Sequence, residues 1–393
     1  MKVVIFDDDK RQRQRWSKSL ERVVGQGEIA ALETDVFVGQ VDRLEERRKR
    51  ARSGGAVSLE SLGIDSEFDE VDVVIVDFDL LQAINLSGEE IAYLLRCFSK
   101  CGIILALNQF GDNRFDLTLQ GHPESFADLN IGEKFLGDPG LWSPNHNDWK
   151  EFRPWYWPLL KEQLANHKRR IEDVRRWMKM PILSCLSLDE ASAGFLHRKT
   201  LEFIQCPGIQ DAGQTSFEDF VIHSGKGLSR RDAEGAVEEM KPHIAATRLH
   251  HWLESFVLAG QEILVDAPHL VGRYPSLLQG PLEDIDSWNR TATLDQVGRI
   301  NVEVIQGCKF RYSHWLSRAA WYWSKVRENE DIKEVADPWS VESSDYVFCE
   351  DTSRFAPRDK AFEFVADLPS AFNRRYVLRV EPIEYHPSVR FSL

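Results

Sequence analysis

Apolar positions in the first 140 residues alternate between short unbroken runs and stripes at helical spacing. The stretch 71–81, VDVVIVDFDLL, holds Val73, Val74, Ile75 and Val76 in a row, then Asp77 and Asp79 on either side of Phe78. Such a run, rich in β-branched residues, is the pattern of a strand buried on both faces in a parallel sheet. Residues 3–6 (VVIF) and 102–107 (GIILAL, ending at Asn108) repeat it, and a shorter strand is expected near 129–131. Between the runs, 10–24 carries Trp16, Leu20, Val23 and Val24 at helical spacing before Gly25 and Gly27, and 88–98 carries Ile91, Leu94, Leu95 and Phe98. This alternation predicts an α/β fold with a doubly wound parallel sheet. Three further expectations are a short strand at 31–38, a polar insertion loop at 53–70, and a helix at 40–53. In that helix Arg43, Arg47, Arg48, Lys49, Arg50 and Arg52 are expected to form a solvated face.

Beyond residue 136 the pattern changes. Residues 137–158 hold four prolines with Trp142, Trp149, Trp155 and Trp157, the composition of an aromatic-packed seam between domains. A long helix is predicted over 158–180, proline at its start and Pro181 past its end. Its stripe is Leu160, Leu164, Ile171, Val174 and Met178, with Lys168, Arg169, Arg170, Arg175 and Arg176 facing solvent; covering a core or forming a homodimer seam are both uses of such a helix. Later, 242–259 places Ala245, Leu249, Trp252, Leu253 and Phe256 on one helical face, 314–326 repeats that scheme, and 376–381 reads as a terminal strand. The expected division is a sheet domain at 1–140, a junction and connecting helix at 141–180, and a larger α+β or mainly helical domain at 181–393.

Composition narrows the classes. A chain of 393 residues with a formal net charge of -14 argues against broad nucleic-acid or anionic-membrane binding. No apolar run approaches the roughly 20 residues of a membrane helix, and the N-terminus lacks the basic start and small-residue cleavage site of a signal peptide. Six cysteines without disulfide-like spacing fit reduced thiols in the cytoplasm.

The chemistry lies where the apolar runs stop. The first ends in Asp7, Asp8 and Asp9, the central one in Asp77. Parallel neighbours would bring these carboxylates to the carboxyl edge of the sheet, where ligands bind in open α/β folds. Like charges that close need protons or a cation, and a hard divalent ion, Mg²⁺, suits an all-oxygen set. Other constellations are weaker. Asp266 and His269 in LVDAPHL are spaced as an acid–base pair without a nucleophile motif, and Ser187, Ser192 and Ser224 lack an elbow. His243, His250 and His251 read as core or surface histidines, Cys97 and Cys101 lack a second ligand pair for zinc, and HSGKGLS around 225–227 lacks the phosphate-loop spacing.

The order VIFDDD, DVVIVDFDL and SGEEIAYLLR resembles the receiver domain of two-component response regulators over residues 1–140. The resemblance implies a flavodoxin-like fold with Asp7, Asp8 and Asp77 on Mg²⁺, and Asp77 as phosphoryl acceptor. It puts Asn108 (or Ala106) at the hydroxyl position ending the fourth strand and Lys134 at the lysine after the fifth. It also implies a histidine kinase or phosphotransfer protein as donor, and an output region acting through contacts with a partner protein. Asp77 follows Asp8 by 69 positions, Leu81 stands where a proline is usual, no hydroxyl occurs at 106–108, and Phe135 follows Lys134 in place of proline. Those departures motivate a second reading, a pseudo-receiver serving as scaffold in a multi-protein complex. A third is a haloacid-dehalogenase-like phosphatase using IFDDD, with Asp7 as nucleophile and Asp9 as acid, although Lys10 and Arg11 follow.

Overall fold

The computed structural model describes residues 1–24, 28–77, 80, 85–108, 125–133, 136–137, 139–142, 159–188, 196, 198–223, 237–258, 263–292, 300–332, 345–350, 352, 354–365 and 374–378. Strands β1 (Lys2–Phe6), β2 (Glu28–Ala31), β3 (Val73–Asp77), β4 (Ile103–Asn108) and β5 (Leu129–Gly132) form one sheet in the order β2-β1-β3-β4-β5. All four pairings are parallel. Alternate residues serve opposite faces. Val3, Ile5, Val73, Ile75, Ile103 and Leu105 meet Trp16 and Leu20 of α1 (Lys10–Glu21) and Leu160 and Leu164 of α4 (Leu160–Trp177). Val4, Phe6, Val74, Val76, Ile104 and Ala106 meet α2 (Thr34–Gly54) and α3 (Gly88–Phe98), with Phe6 stacked on Phe37 at 3.6 Å between ring centroids. Helices therefore cover both faces, as the unbroken apolar runs require.

The helix α3 spans the predicted 88–98. Its start is fixed by a capping box in which the Ser87 hydroxyl accepts the Glu90 N–H and the Glu90 carboxylate accepts the Ser87 N–H at 2.7 Å. Elsewhere the predicted pattern needs correction. The strand expected at 31–38 stops at Ala31, and α2 already runs through Val36, Phe37 and Val38. The Phe37, Val41 and Leu44 series at helical spacing outweighs the local β propensity by burying all three. The face of α2 is not wholly solvated: Arg47, only 2% exposed, makes a two-pronged pair with Asp69 (2.9 and 2.6 Å) and donates to the Phe98 carbonyl. It thereby ties down 53–70, which contains two 3-10 turns and buries Leu59, Leu62 and Phe68. Arg170 of α4 likewise points inward, donating to the His314 carbonyl at 2.9 Å.

In the second half, α5 (Arg198–Ile204), α6 (Phe217–His223) and α7 (Lys241–Trp252) extend the apolar cluster of the α2/α3 face as far as Trp315, Leu316 and Tyr322. The α7 segment buries eleven of its twelve residues, not one stripe, and passes into a π-helical turn at Leu253–Val257. The segment 314–326 is not one helix. It breaks into a 3-10 turn, strand β7 (Ala320–Tyr322) and α10 (Trp323–Arg327). The period of two prevails because β7 separates two cores: Ala320 and Tyr322 face the first, Trp321 a second one. Its antiparallel partner β6 (Leu264–Asp266) divides Leu264 and Val265 in the same way. The second core also holds residues of α8 (Ala267–Arg273), α9 (Ile285–Ala292) and Phe355. A four-stranded sheet lies beyond, ordered β10 (Phe362–Val365), β11 (Arg374–Val377), β8 (Tyr346–Cys349) and β9 (Arg354–Pro357). The strand expected at 376–381 is thus β11; residues 379–381 lie outside the described residues.

A buried ion pair joins the halves. Arg96 of α3 and Asp128, before β5, are 0% and 3% exposed. Asp128 accepts from Arg96, from the Ile104 N–H at 2.8 Å and from the Thr247 hydroxyl of α7 at 3.1 Å. Arg96 also donates to the Gly102 carbonyl and, at 3.0 Å, to His167 Nε2 of α4. Burial and the Arg96 and Arg170 charges hold His167 well below the ordinary imidazole range, so it is neutral and Nε2 accepts. Removing one partner of such a pair leaves a bare buried charge. We expect Arg96→Met to lower the unfolding free energy by about 3–5 kcal/mol in urea titrations, and Thr247→Val by about 1 kcal/mol. Equal, small losses would show that the pair does not hold the halves together.

Candidate functional site

In open parallel sheets ligands bind outside the carboxyl ends of the strands where the strand order reverses, which here falls between β1 and β3. Phe6 pairs with Val76, so Asp7 and Asp77 leave adjacent strands side by side. Both are 5% exposed, whereas Asp8 is open to solvent. One carboxylate oxygen from each of Asp7, Asp8 and Asp77 lies within 4.8 Å of the other two. Among the described residues no other group of three His, Cys, Asp or Glu side chains is close enough to share a metal ion.

Burial pushes the Asp7 carboxyl up to about 7, helped by the charges of Asp77, Asp8 and Asp9 and opposed by the Asp9 N–H, which donates to Asp7 at 2.6 Å. The donor set is all oxygen, partly buried and crowded with like charge, the chemistry that could hold a hard divalent cation. Asp9 stands apart: it caps α1, accepting the Arg11 N–H at 2.7 Å. Arg13, unmarked by the sequence pattern, is buried beneath the site. It donates to the Asp7 carbonyl and to Thr34 (3.2 Å), pairs with Glu33, and lies over the Phe6 ring. It braces the turn from which Asp7 and Asp8 project.

Of the other residues singled out by sequence, Asn108 closes β4 opposite Gly132, and Ala106 faces the α2/α3 core. Lys134, Leu81, Trp149, Trp155, Trp157, Ser192, Ser224 and the glycines at 225 and 227 lie outside the described residues. Cys97 and Cys101 are buried thiols, and burial pushes Cys101 up to about 11, unsuited to metal ligation as thiolate. His243 and His251 are buried, and His250 contacts the Trp315 carbonyl at 2.8 Å. Asp266 and His269 do pair, within a network of Arg318, Glu350 and Arg375 that sequence spacing did not disclose.

No protein-family model matches the chain, and neither a curated protein nor a solved structure matches it.

Folded, Asp7 keeps its proton to about pH 7; unfolded, it loses it near 3.8. This group therefore removes stability as pH rises between those values, and its cost is constant above them. Without divalent cations, Asp7→Asn is expected to raise the unfolding free energy at pH 8 by up to about 4 kcal/mol, with little effect at pH 4. An equal effect at both pH values would rule out buried charge as the cause.

Proposed function

We propose that residues 1–140 act as a receiver-like module in which Asp77 accepts a phosphoryl group beside a divalent cation, and that the remainder answers through protein–protein contacts. The observation carrying this reading is the meeting of Asp7, Asp8 and Asp77 at the switch point of a parallel sheet ordered 2-1-3-4-5. Asp7 and Asp8 hold Mg²⁺ on this reading, with Asp77 as third ligand. When bound, the ion neutralises charge on the equatorial phosphoryl oxygens. An Asp77 oxygen attacks phosphorus in line, a bond forms to it, and the bond from phosphorus to the donor breaks. The donor is a phosphohistidine of a histidine kinase or phosphotransfer protein, or a small acyl phosphate. Lys134 and Asn108 keep the assisting places that the family resemblance gives them. The acyl phosphate adds roughly -1.5 to -2 charge at the sheet edge, a local change able to bias a packed surface between two arrangements.

A second reading, a pseudo-receiver working as scaffold, is favoured by one specific observation: Ala106, Leu107 and Asn108 end β4 without a hydroxyl. Mg²⁺ affinity separates the two, since a scaffold need not bind the ion. The phosphatase reading lacks comparable support, because Asp9, its acid, is engaged as the cap of α1.

Incubated with acetyl phosphate and Mg²⁺, the wild-type chain is expected to give a retarded band on a phosphate-affinity gel, and Asp77→Asn none. Equal retardation of both would remove Asp77 as the acceptor.

A further inference from the structure

The α8 and α10 helices and the four-stranded sheet border a half-open cavity of about 420 Å³, within the range of roughly 300–1,000 Å³ common for small-molecule sites. Its lining inverts the charge of the chain. Arg273, Arg327, Arg358, Arg374, Arg375 and His269 line it, and no carboxylate does, in a protein of net charge -14.

The cationic wall is built from behind. Arg375, 5% exposed, donates to Glu350 at 2.7 Å and abuts His269. His269 pairs through Nδ1 with Asp266, which also accepts from Arg318 at 2.9 Å. Burial alone would raise the Asp266 and Glu350 carboxyls, but the His269, Arg318 and Arg375 charges hold both below their ordinary range. Burial would lower His269, yet Asp266 outweighs it and holds the imidazole above its usual value. Two buried carboxylates thus fix two guanidiniums and an imidazole in place. Arg273 and Arg327 add positive charge at the exposed rim, and neither has a carboxylate within ion-pairing distance among the described residues. Arg374 is 3.8 Å from Glu363, and Arg358 packs on the Tyr376 ring.

Flat rings supply most of the remaining lining, beside Pro268, Gly272 and Val347. Tyr274 and Trp323 are buried, 5.7 Å apart between centroids, and the half-buried Tyr346, Phe348 and Tyr376 present the accessible ring surface, Phe348 meeting the His269 ring at 5.5 Å. Guanidinium forks match phosphate oxygens two at a time, and aromatic faces accept a heteroaromatic ring without demanding its identity. A cavity offering both, with carboxylates excluded from its wall, selects a polyanion that carries a planar ring.

We propose that this cavity binds a nucleotide, its phosphates on Arg273, Arg327 and the Arg375–His269 corner and its base against the aromatic wall. Unlike the aspartate cluster, this site needs no divalent ion.

Isothermal titration of the full chain in EDTA, so that the aspartate cluster holds no metal, tests the proposal with ATP, tripolyphosphate and adenosine. ATP is expected to bind, tripolyphosphate at least fivefold more weakly, and adenosine more weakly still. The charge reversals Arg273→Glu and Arg327→Glu fall on exposed side chains, and combined they are expected to weaken ATP at least tenfold with an unchanged circular dichroism spectrum. Absence of ATP binding at millimolar concentration, or unchanged affinity in a folded double variant, would overturn the nucleotide site. Tripolyphosphate binding as tightly as ATP would overturn the place given to the base.

Discussion

The packing of the parallel sheet against α4 and α7 turns on a charge pair that water does not reach. An isolated guanidinium or carboxylate at the depth of Arg96 and Asp128 would cost several kcal/mol; the pair is tolerable only because its hydrogen-bonding capacity is met on several sides. Asp128 takes a strand amide, a helix hydroxyl and a guanidinium, while its own carbonyl meets His251 of α7 at 3.0 Å. The partners come from α3, β4, α4 and α7. Moving α3 against the segment before β5 would strand both charges, and moving α4 or α7 would cost the pair a buried hydrogen bond, so the sheet and these helices are held in one register. Hydrophobic burial is non-directional and would permit sliding; the polar pair does not.

The lock explains why α7 is buried almost all round. His243, Thr247, Arg248 and His251 occupy positions that an amphipathic helix would give to solvent. Arg248 is instead enclosed by the rings of Phe126, Phe203 and Phe220, with centroid distances of 5.7, 5.4 and 5.2 Å. A guanidinium tolerates such a setting better than an ammonium because it is weakly hydrated and stacks on aromatic faces. The β6–β7 pair then forms the wall between this core and the smaller one, each strand sending alternate residues to either side.

How much of this was legible in the sequence depended on whether a signal was local. The runs ending at Phe6, Asp77 and Asn108 declared buried strands because β-branched residues without polar alternation have few other uses. Ser87 and Glu90 declared the start of α3 for an equally local reason. The convergence of Asp7, Asp8 and Asp77 followed once the strands were taken as parallel neighbours. What failed was the rule that a charged helix face is a wet one. Arg47 and Arg170 find their partners 22 and 144 residues away, and nothing in their own neighbourhoods marks them as buried. The segment 314–326 misled for a related reason: its aromatic positions fit a helical period as well as an alternating one, and only the presence of a core on each side decides between them. Asp266 and His269 were visible as a pair, but Glu350 and Arg375 reach them through a sheet whose pairing the sequence does not announce.

The two candidate sites differ in sign, and the difference has a chemical consequence. At the sheet edge, burial and then the neighbouring carboxylates lift Asp7, and those like charges would also repel an incoming phosphoryl group, so the carboxylates by themselves would form a poor phosphoryl acceptor. On the proposed reading, the cation is required to convert a repulsive crevice into an attractive one, and phosphoryl acceptance at Asp77 without it is electrostatically disfavoured. In the arginine-lined cavity the situation is reversed: positive charge is fixed in advance by buried Asp266 and Glu350, and an anion entering it relieves repulsion among guanidiniums already in place. A site preorganised in this way binds phosphate without first recruiting an ion. The acidity of the chain as a whole conceals this, since net charge sums over surfaces whose local potentials are opposed.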